Sequence, residues 1–287
     1  MTLQEKIVEK FNHFSELVMF KHSIFSLPFI FIAMVVADHG WFGWKLFFLG
    51  IIEAVSARNF AMGVNRYLDR DIDKINPRTK DRPSVDGRVD IKEMQIFIVA
   101  NALIFIIVSY FINNLALALS IPILFILGIY TYFKRFSAAA HWILGISLGL
   151  APIAGAVAVL GTIPLWSIYL GVGVMFWVAG FDLLYSLQDI EFDKANNLHS
   201  IPAKLGAKRT MTIARISHLL AIVFWGLFVA PSGVGSFGTL AVIVSAMLLI
   251  YEHYLVSDDF TKIDKAFFTV NGYLGFVFLL IIVSGMV

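Results

Sequence analysis

The sequence contains no cysteine and few charged residues. Without cysteine, neither a disulfide framework nor a thiolate metal site is possible. Asp, Glu, Lys and Arg make up only 15% of the residues, whereas soluble domains carry about a quarter. Hydrophobic residues make up 59% of the 287 residues and the mean hydropathy is +0.82. This composition excludes an ordinary soluble domain and is typical of an integral membrane protein.

Nine apolar stretches are long enough to cross a hydrocarbon core of about 30 Å. They lie near residues 23–39, 42–66, 93–113, 115–133, 139–160, 165–188, 212–230, 236–255 and 265–286. We therefore expect an all-α integral membrane protein, with nine transmembrane helices in a bundle around a central cavity. Residues 23–287 would form this single transmembrane domain.

The first 22 residues carry apolar side chains at roughly helical spacing, with charged residues between them. This pattern predicts an amphipathic helix on the membrane surface, with no cleavable signal before the first span. An ordinary cytosolic lead-in explains the pattern equally well.

Lysine and arginine are distributed unevenly between the two sides of the predicted bundle. The amino terminus and the loops on its side hold 20 of the 22 basic residues, leaving Lys45 opposite and Arg58 inside the second span. Because cytoplasmic loops carry an excess of Lys and Arg, we expect a multi-pass protein with a cytosolic amino terminus.

The stretch NRYLDRDIDKINPRTKDRP, residues 65–83, gathers carboxylates and bases directly after the second span. Asn65, Asp69 and Asp73 are four residues apart. Steps of four rotate by about 40° around a helix, so the three side chains share one face. Oxygen ligands at this spacing suit Mg²⁺, which shares its coordination shell with phosphate oxygens.

A second set lies at the end of the sixth span, where Asp182, Tyr185, Asp189 and Asp193 also fall on one helical face. We call the two sets the first and second ladder. Each ladder, taken by itself, is also explained as the charged, solvated end of a helix. Two ladders facing the same compartment favour an active site at the cytosolic end of the bundle.

Two acidic residues and several bases surround the ladders. Asp71 and Glu191 lie off the ladder faces, and we expect them to be solvated or salt-bridged. Guanidinium groups match phosphate oxygens, so carboxylates, Mg²⁺ and arginine together form a diphosphate site. The bases favoured as diphosphate contacts are Arg78, Arg82, Lys134 and Arg135.

These motifs resemble the UbiA superfamily of intramembrane aromatic prenyltransferases, and the resemblance covers essentially the whole chain. Both ladders match the family motifs N-x-x-x-D-x-x-x-D and D-x-x-Y-x-x-x-D-x-x-x-D. The family's R-T…R-P is matched by Arg78, Thr79, Arg82 and Pro83. The segment YTYFKR at 130–135 resembles its Y-x-x-K-R element, with Tyr130 and Tyr132 both candidates for the tyrosine.

One residue departs from the family pattern. Many members have Asp after the first Asn, whereas this chain has Arg66, which favours a different acceptor or diphosphate contact. With FKHSIFSLP at 20–28 and NLHSIP at 197–202, the chain looks most like the bacterial quinone-biosynthesis branch labelled 4-hydroxybenzoate polyprenyltransferase. Its menaquinone-pathway relatives are thought to act on a dihydroxynaphthoate.

The resemblance implies Mg²⁺-dependent transfer of a polyprenyl group from polyprenyl diphosphate to a small aromatic acid, of 4-hydroxybenzoate or 1,4-dihydroxy-6-naphthoate type. The product would enter ubiquinone or menaquinone biosynthesis in a bacterial-type inner membrane. Asn65, Asp69 and Asp73 would hold one Mg²⁺, and Asp189 and Asp193 a second. Diphosphate contacts would include Asn65. The lipid bilayer is an expected partner, and no nucleic acid is.

Three further side chains have roles implied near the reacting atoms. Asp182 would steer the acceptor's hydroxyl or receive the ring proton, and Tyr185 would orient the diphosphate or face the allylic cation. Arg58 would attract the acceptor's carboxylate. A salt bridge from Arg58 to Glu53 or Asp182 is its alternative.

Two other classes of protein place carboxylates in membranes. CDP-alcohol phosphotransferases have D-G before A-R, but no D-G precedes Ala57-Arg58 here and the second ladder would be surplus. A cation transporter would hold its carboxylates near the bilayer midplane, whereas the two ladders lie at helix ends.

Overall fold

The computed structural model describes residues 2–19, 27–257 and 260–286, and within these ranges its regular elements are helices. They are α1 (Leu3–Leu17), α2 (Leu27–Asp38), α3 (Trp44–Leu68), α4 (Arg70–Ile75), α5 (Pro83–Asp86), α6 (Ile91–Ile112), α7 (Asn114–Ile129), α8 (Ala140–Leu160), α9 (Leu165–Tyr185), α10 (Ile190–Ala195), α11 (Ile201–Ser232), α12 (Gly235–Ser257), α13 (Ile263–Lys265) and α14 (Asn271–Ser284). Segments of 3₁₀-helix at Tyr130–Arg135, Ser186–Asp189 and Phe260–Lys262, and of π-helix at Ala266–Val270, adjoin them.

Eight helical segments of the described residues are long and apolar enough to cross a membrane. They are Trp44–Leu68, Ile91–Ile112, Asn114–Phe133, Ala140–Leu160, Leu165–Ala195, Ile201–Ser232, Gly235–Ser257 and Ile263–Ser284. The predicted span at 23–39 corresponds to α2, which has 12 residues, fewer than the roughly 20 that a membrane crossing needs. Residues 20–26 lie outside the described residues. The chain is a multi-pass membrane protein.

Asn113 separates the third and fourth predicted spans. Its backbone is extended, which ends α6, and its side-chain oxygen accepts a 2.8 Å hydrogen bond from the Ala116 N–H at the start of α7. Its amide nitrogen donates to the Val157 carbonyl at 2.8 Å. A single residue thus ends one helix, caps the next and ties both to α8.

Helix α1 begins with a capping box between Thr2 and Glu5. Its Phe14 ring stacks on Phe97 of α6, with ring centroids 4.7 Å apart. Lys10 pairs with Glu93 at 2.6 Å. The helix predicted within residues 1–22 is therefore present over 3–17, and it packs against the start of α6.

Helices α8 and α9 form an antiparallel hairpin, and their backbones come closest at two glycines. An added Cβ at Gly171 would lie 2.5 Å from the Gly149 carbonyl oxygen, and one at Gly149 would lie 2.6 Å from the Gly171 oxygen. Small residues let membrane helices approach this closely. Because the hairpin is antiparallel, the first residues of α8 lie beside the last residues of α9.

A buried polar network joins α9, α11, α12 and α14. Trp177 Nε1 donates to Asn271 Oδ1, and Asn271 Nδ2 donates to Glu252 Oε1, both at 2.7 Å. His218 lies 3.0 Å from His253 through their ring nitrogens and 3.2 Å from the Trp177 carbonyl. In an apolar surrounding such bonds fix the helices relative to one another.

The substitution Gly171→Ala should destabilise the hairpin. Its Cβ would meet backbone that cannot rotate away, so the helices must separate, at a cost of about 1–3 kcal/mol. The measurement is the midpoint of thermal unfolding in detergent. The matched control is Gly226→Ala in α11, where an added Cβ meets no atom within 4 Å. Equal midpoints for the two variants would contradict the close approach.

Candidate active site

Both predicted ladders line one polar cavity. The first contributes Asn65, Asp69 and Asp73, and the second contributes Asp182, Tyr185, Asp189 and Asp193. Residues predicted from two distant parts of the chain therefore meet at one place.

The first ladder crosses a break between two helices. Helix α3 ends at Leu68 and α4 begins at Arg70, with Asp69 at the joint. The Asp69 N–H still donates to the Asn65 carbonyl at 2.9 Å, and the Asp73 N–H donates to the Asp69 carbonyl at 2.7 Å. These bonds between residues four apart keep the rungs in step, although the helix is not continuous.

Thr131 completes the first ladder from the 3₁₀ segment after α7. Its hydroxyl donates to Asp69 Oδ2 at 3.0 Å and accepts from Asn65 Nδ2 at 2.6 Å. Sequence reasoning missed this residue, although it lies inside the YTYFKR element. Of the two candidate tyrosines there, Tyr130 is buried and lines the cavity, whereas Tyr132 is 52% exposed.

The second ladder is also not one continuous helix. Helix α9 ends at Tyr185, a 3₁₀ turn covers Ser186–Asp189, and α10 begins at Ile190. The predicted single helical face is therefore corrected here, since a 3₁₀ turn has about 3.0 residues rather than 3.6. The four ladder residues nevertheless line the cavity.

Arg78 connects the ladders across the cavity. It belongs to the loop after α4, and its Nε and Nη2 atoms donate to the two carboxylate oxygens of Asp189 at 3.1 and 2.5 Å. Its Nη1 atom donates to the Tyr185 hydroxyl at 3.1 Å. Burial lowers the pKa of Arg78, but the hydrogen bonds with Asp189 raise it, and the net shift is upward. Arg78 therefore stays cationic beside the second ladder.

Two further predicted bases line the cavity. Arg82 donates from Nη1 to both carboxylate oxygens of Asp73 at 2.7 Å. Arg66 is buried, and it donates to the Leu17 carbonyl and to Asn65 Oδ1, both at 3.0 Å. The residue that departs from the family pattern thus holds the first rung of the ladder.

The contact of Arg135 with a diphosphate stays a prediction, and Arg135 Nη2 lies 3.9 Å from Asp69 Oδ1 of the first ladder. It is not among the described residues that line the cavity. Instead it forms two hydrogen bonds to Asp71, at 2.7 and 3.0 Å, which lower the pKa of that carboxyl, and one to the Leu68 carbonyl. Lys134 is the neighbouring base that was also predicted to contact the diphosphate. Its side chain lies outside the described part of the chain.

The expectation for the two off-face acidic residues is confirmed. Asp71 is salt-bridged to Arg135. Glu191 is 3.4 Å from Lys194 and its side chain is 90% exposed.

Arg58 lines the cavity from the middle of α3. Its Nη2 atom donates to the carbonyls of Val18 and Met19 at 3.4 and 3.3 Å, in the segment after α1. It thus uses backbone carbonyls rather than Glu53 or Asp182 as partners. Its Nε atom is buried with no hydrogen-bond partner among the described residues.

Asp182 pairs with a histidine that sequence reasoning missed. His141 Nδ1 lies 2.7 Å from Asp182 Oδ2, and both residues line the cavity. His141 begins α8 and Asp182 nearly ends α9, so the antiparallel hairpin brings them together. The pair is 41 residues apart in sequence, too far for a spacing pattern to reveal.

The donors of the cavity fit Mg²⁺. Three of the carboxylates are buried, with Asp69 1%, Asp73 4% and Asp193 9% exposed. Within the described ranges no group of three His, Cys, Asp or Glu side chains forms a ready-made metal cage. Mg²⁺ typically binds one or two carboxylates together with waters and substrate phosphates. One or two carboxylates from each ladder are therefore enough to hold a Mg²⁺ ion together with a substrate phosphate.

The fold and the cavity define a multi-pass membrane enzyme with an acidic, arginine-lined site. Residues 26–281 match the model of the UbiA prenyltransferase family. The chain therefore belongs to that family and is a prenyltransferase.

Curated relatives of the chain are also named prenyltransferases. The chain is 27% identical over 244 residues to the 4-hydroxybenzoate octaprenyltransferase of Albidiferax ferrireducens, covering 85% of this chain and 82% of that protein. It is 34% identical over 161 residues to the protein of the same name from Herminiimonas arsenicoxydans, covering 56% of this chain and 57% of the relative.

Solved structures share the fold. The apo structure of a UbiA homolog from Aeropyrum pernix K1 has a TM-score of 0.78 and 32% identity, covering 92% of this chain and 96% of that chain. A UbiA homolog from Archaeoglobus fulgidus bound to GPP and Mg²⁺ has a TM-score of 0.73 and 18% identity, covering 96% of this chain and 99% of that chain. At this identity the second comparison concerns the fold alone.

The substitution Thr131→Val should weaken the first ladder without unfolding the protein. It removes the hydroxyl that orients Asn65 and Asp69, and loss of such a supporting partner lowers metal affinity by about 10–100-fold. The measurement is the Mg²⁺ concentration that gives half-maximal prenyl transfer. The control is Thr212→Val, whose exposed hydroxyl bonds the Lys208 carbonyl of its own helix. An unchanged Mg²⁺ requirement in Thr131→Val would contradict the prediction.

Proposed function

We propose that this protein is a Mg²⁺-dependent polyprenyltransferase that joins a polyprenyl group to an aromatic quinone precursor. The observation that carries the proposal is the convergence of two acidic ladders on one cavity that Arg78 spans. A diphosphate is the ligand that uses carboxylate-held Mg²⁺ and guanidinium groups together. The names of the curated relatives, and the GPP and Mg²⁺ bound to the Archaeoglobus homolog, support it.

The metal ligands we propose are Asn65, Asp69 and Asp73 for one ion, and Asp189 and Asp193 for the other. When bound, Mg²⁺ stabilises the negative charge that grows on the diphosphate as the allylic C–O bond breaks. Arg78 and Arg82 are now paired with Asp189 and Asp73. These same guanidinium groups are placed to exchange carboxylate for phosphate oxygens when the diphosphate enters.

An apolar cavity adjoins the polar one and suits the polyprenyl tail. Five residues line both cavities: Arg58, Met62, Tyr130, Leu144 and Leu148. The apolar cavity extends along α3 to Gly50 and along α8 to Ala158. An amphiphile with a polyanionic head and a hydrocarbon tail fits this division of polarity.

Three aromatic rings line the polar cavity at the second ladder. Tyr185 lies beside Phe267, with ring centroids 4.3 Å apart, and beside Phe268 at 6.2 Å. All three line the polar cavity. Aromatic faces attract cations, and a wall of this kind keeps water from the allylic cation.

The two rival classes lose support once the family is known. A UbiA-family chain has no need of the phosphotransferase signature, and a transporter does not explain an arginine held between two acidic ladders. We further propose a cytosolic amino terminus in a bacterial-type inner membrane, from the excess of basic residues on that side. The site then opens toward the cytosol, where soluble acceptors arrive.

The test offers purified protein a labelled long-chain polyprenyl diphosphate with Mg²⁺. 4-Hydroxybenzoate and 1,4-dihydroxy-6-naphthoate are supplied in competition, and the adduct is identified by mass spectrometry. One prenylated acceptor in excess identifies the branch of quinone biosynthesis. Cation flux without any prenylated product would reject the proposal.

The variant Asp189→Asn should abolish Mg²⁺-dependent transfer, because it removes one of the two negative charges proposed to hold the second metal ion. Asp69→Asn should behave in the same way. The measurement is product formation over a range of Mg²⁺ concentrations, with the thermal midpoint showing that each variant is folded. The control is Glu191→Gln, an exposed carboxylate two residues from Asp189, which should retain activity. Full turnover in Asp189→Asn would count against the site.

The variant Arg58→Ala should raise the KM for a carboxylate-bearing acceptor. Loss of the cation removes a charge-assisted hydrogen bond, so we expect an increase of at least about tenfold. The KM for the polyprenyl diphosphate should change much less. Steady-state kinetics with each substrate varied in turn separates the two effects, and an unchanged acceptor KM would remove Arg58 from the binding site.

A further inference from the structure

We propose that His141 is the general base that takes the proton from the acceptor's hydroxyl group, and that Asp182 positions it. This inference rests on the proposed function and names a catalytic group for it. Neither residue belongs to the proposed metal ligands, so the pair is left for the acceptor half of the reaction.

The hydrogen bond between the two residues determines which ring nitrogen is basic. His141 Nδ1 lies 2.7 Å from Asp182 Oδ2. A carboxylate only accepts hydrogen bonds, so Nδ1 carries the proton of the neutral ring. The lone pair is therefore on Nε2, and a base oriented by a carboxylate through its other nitrogen is a recurring catalytic arrangement.

The basic nitrogen has no hydrogen-bond partner within the part of the chain that the structure describes. His141 is 5% exposed, and its Nε2 atom is buried without a hydrogen-bond partner among the described residues. Buried polar atoms are nearly always satisfied, and one that is not calls for an explanation. Because His141 lines the polar cavity, a hydroxyl group of a bound acceptor supplies the missing partner.

A second unsatisfied atom lines the same cavity. Arg58 Nε is also buried and lacks a partner in the described part of the chain. An aromatic hydroxy acid carries a carboxylate and a hydroxyl at separate positions of one ring. The cavity offers a cation for the first and a base for the second, so the two groups together select this class of acceptor.

The proposed step balances as follows. The allylic C–O bond breaks and its electron pair goes to the leaving pyrophosphate. His141 Nε2 takes the hydroxyl proton while the ring carbon beside the hydroxyl forms the new C–C bond, which leaves a neutral dienone. The proton on that carbon then leaves to water, and His141 returns its proton to the oxygen as the ring becomes aromatic again. The net products are the prenylated acceptor, pyrophosphate and one proton.

The variant His141→Gln should lose transfer activity, because glutamine is of similar size but is not a base. General base catalysis typically contributes about 10²–10⁴-fold, and we expect kcat to fall within that range. The KM for the polyprenyl diphosphate should stay within about twofold, since the pair is separate from the diphosphate ligands. The control is His13→Gln on α1, whose buried Nδ1 also lacks a partner among the described residues but does not line the polar cavity.

A second measurement distinguishes a base from a structural histidine. Whichever acceptor the wild type uses is assayed together with fluorinated analogues, whose hydroxyl is ionised at the assay pH. The ratio of wild-type to His141→Gln turnover is compared across the series, so that altered ring reactivity cancels. A base is not needed once the proton is gone, and the ratio should shrink toward 1 for the ionised acceptors.

Asp182→Asn keeps His141 in place and provides a second test if His141→Gln does not fold. It should also lose activity, with the same dependence on acceptor ionisation, because an amide can donate to Nδ1 and leave the proton on Nε2. A ratio that stays equally large for every acceptor, in whichever variant folds, would overturn the inference. If the wild type prenylates none of the acceptors, the proposed function fails instead, and the two failures are thereby distinguished.

Discussion

Buried carboxylates at the ends of membrane helices must be matched by positive charge, and this constraint organises the whole site. An unpaired charge is costly in so apolar a surrounding. Arg78 pairs with Asp189 and Arg82 pairs with Asp73, so these two carboxylates of the cavity are neutralised by arginine. Because both arginines come from the loop after the first ladder, that loop also joins the two halves of the bundle. Under the proposed function, a polyanionic ligand with its metal would replace either pairing without leaving an unpaired charge.

The polar and apolar cavities offer separate surroundings for the head and for the tail of an amphiphilic substrate. The ladders and arginines lie on the polar side, and hydrocarbon-lined space lies on the other. Arg58 and Tyr130 line both cavities, so under the proposed function the head and the tail of the substrate would meet beside them. The reacting carbon would lie next to the head, on the side of the polar cavity where the ring of Tyr185 lies.

The sequence predicted features that repeat along the chain and missed those that depend on distant contacts. Membrane spans and ladders repeat at regular spacing, so they were predictable from the sequence. The helix breaks at Asp69 and after Tyr185 were not predicted. Thr131 lies 62 residues from its partner Asp69 and His141 lies 41 residues from Asp182, so no spacing indicates either pair. The role of Arg135 is not fixed by the sequence, because bases that set topology and bases that bind phosphate are the same residue types.

The end of α1 and the two residues after it hold two arginines of α3, the half-buried Arg58 and the buried Arg66, through backbone carbonyls. Arg58 donates to the carbonyls of Val18 and Met19, and Arg66 donates to that of Leu17. Backbone carbonyl oxygens are present whatever the side chains are. Substitutions in this segment should therefore preserve the hydrogen bonds, whereas a displacement of the segment would break them. An affinity tag placed ahead of α1, or a detergent that displaces this helix, would therefore disturb these hydrogen bonds and, with the proposed role of Arg58, acceptor recognition from outside the bundle.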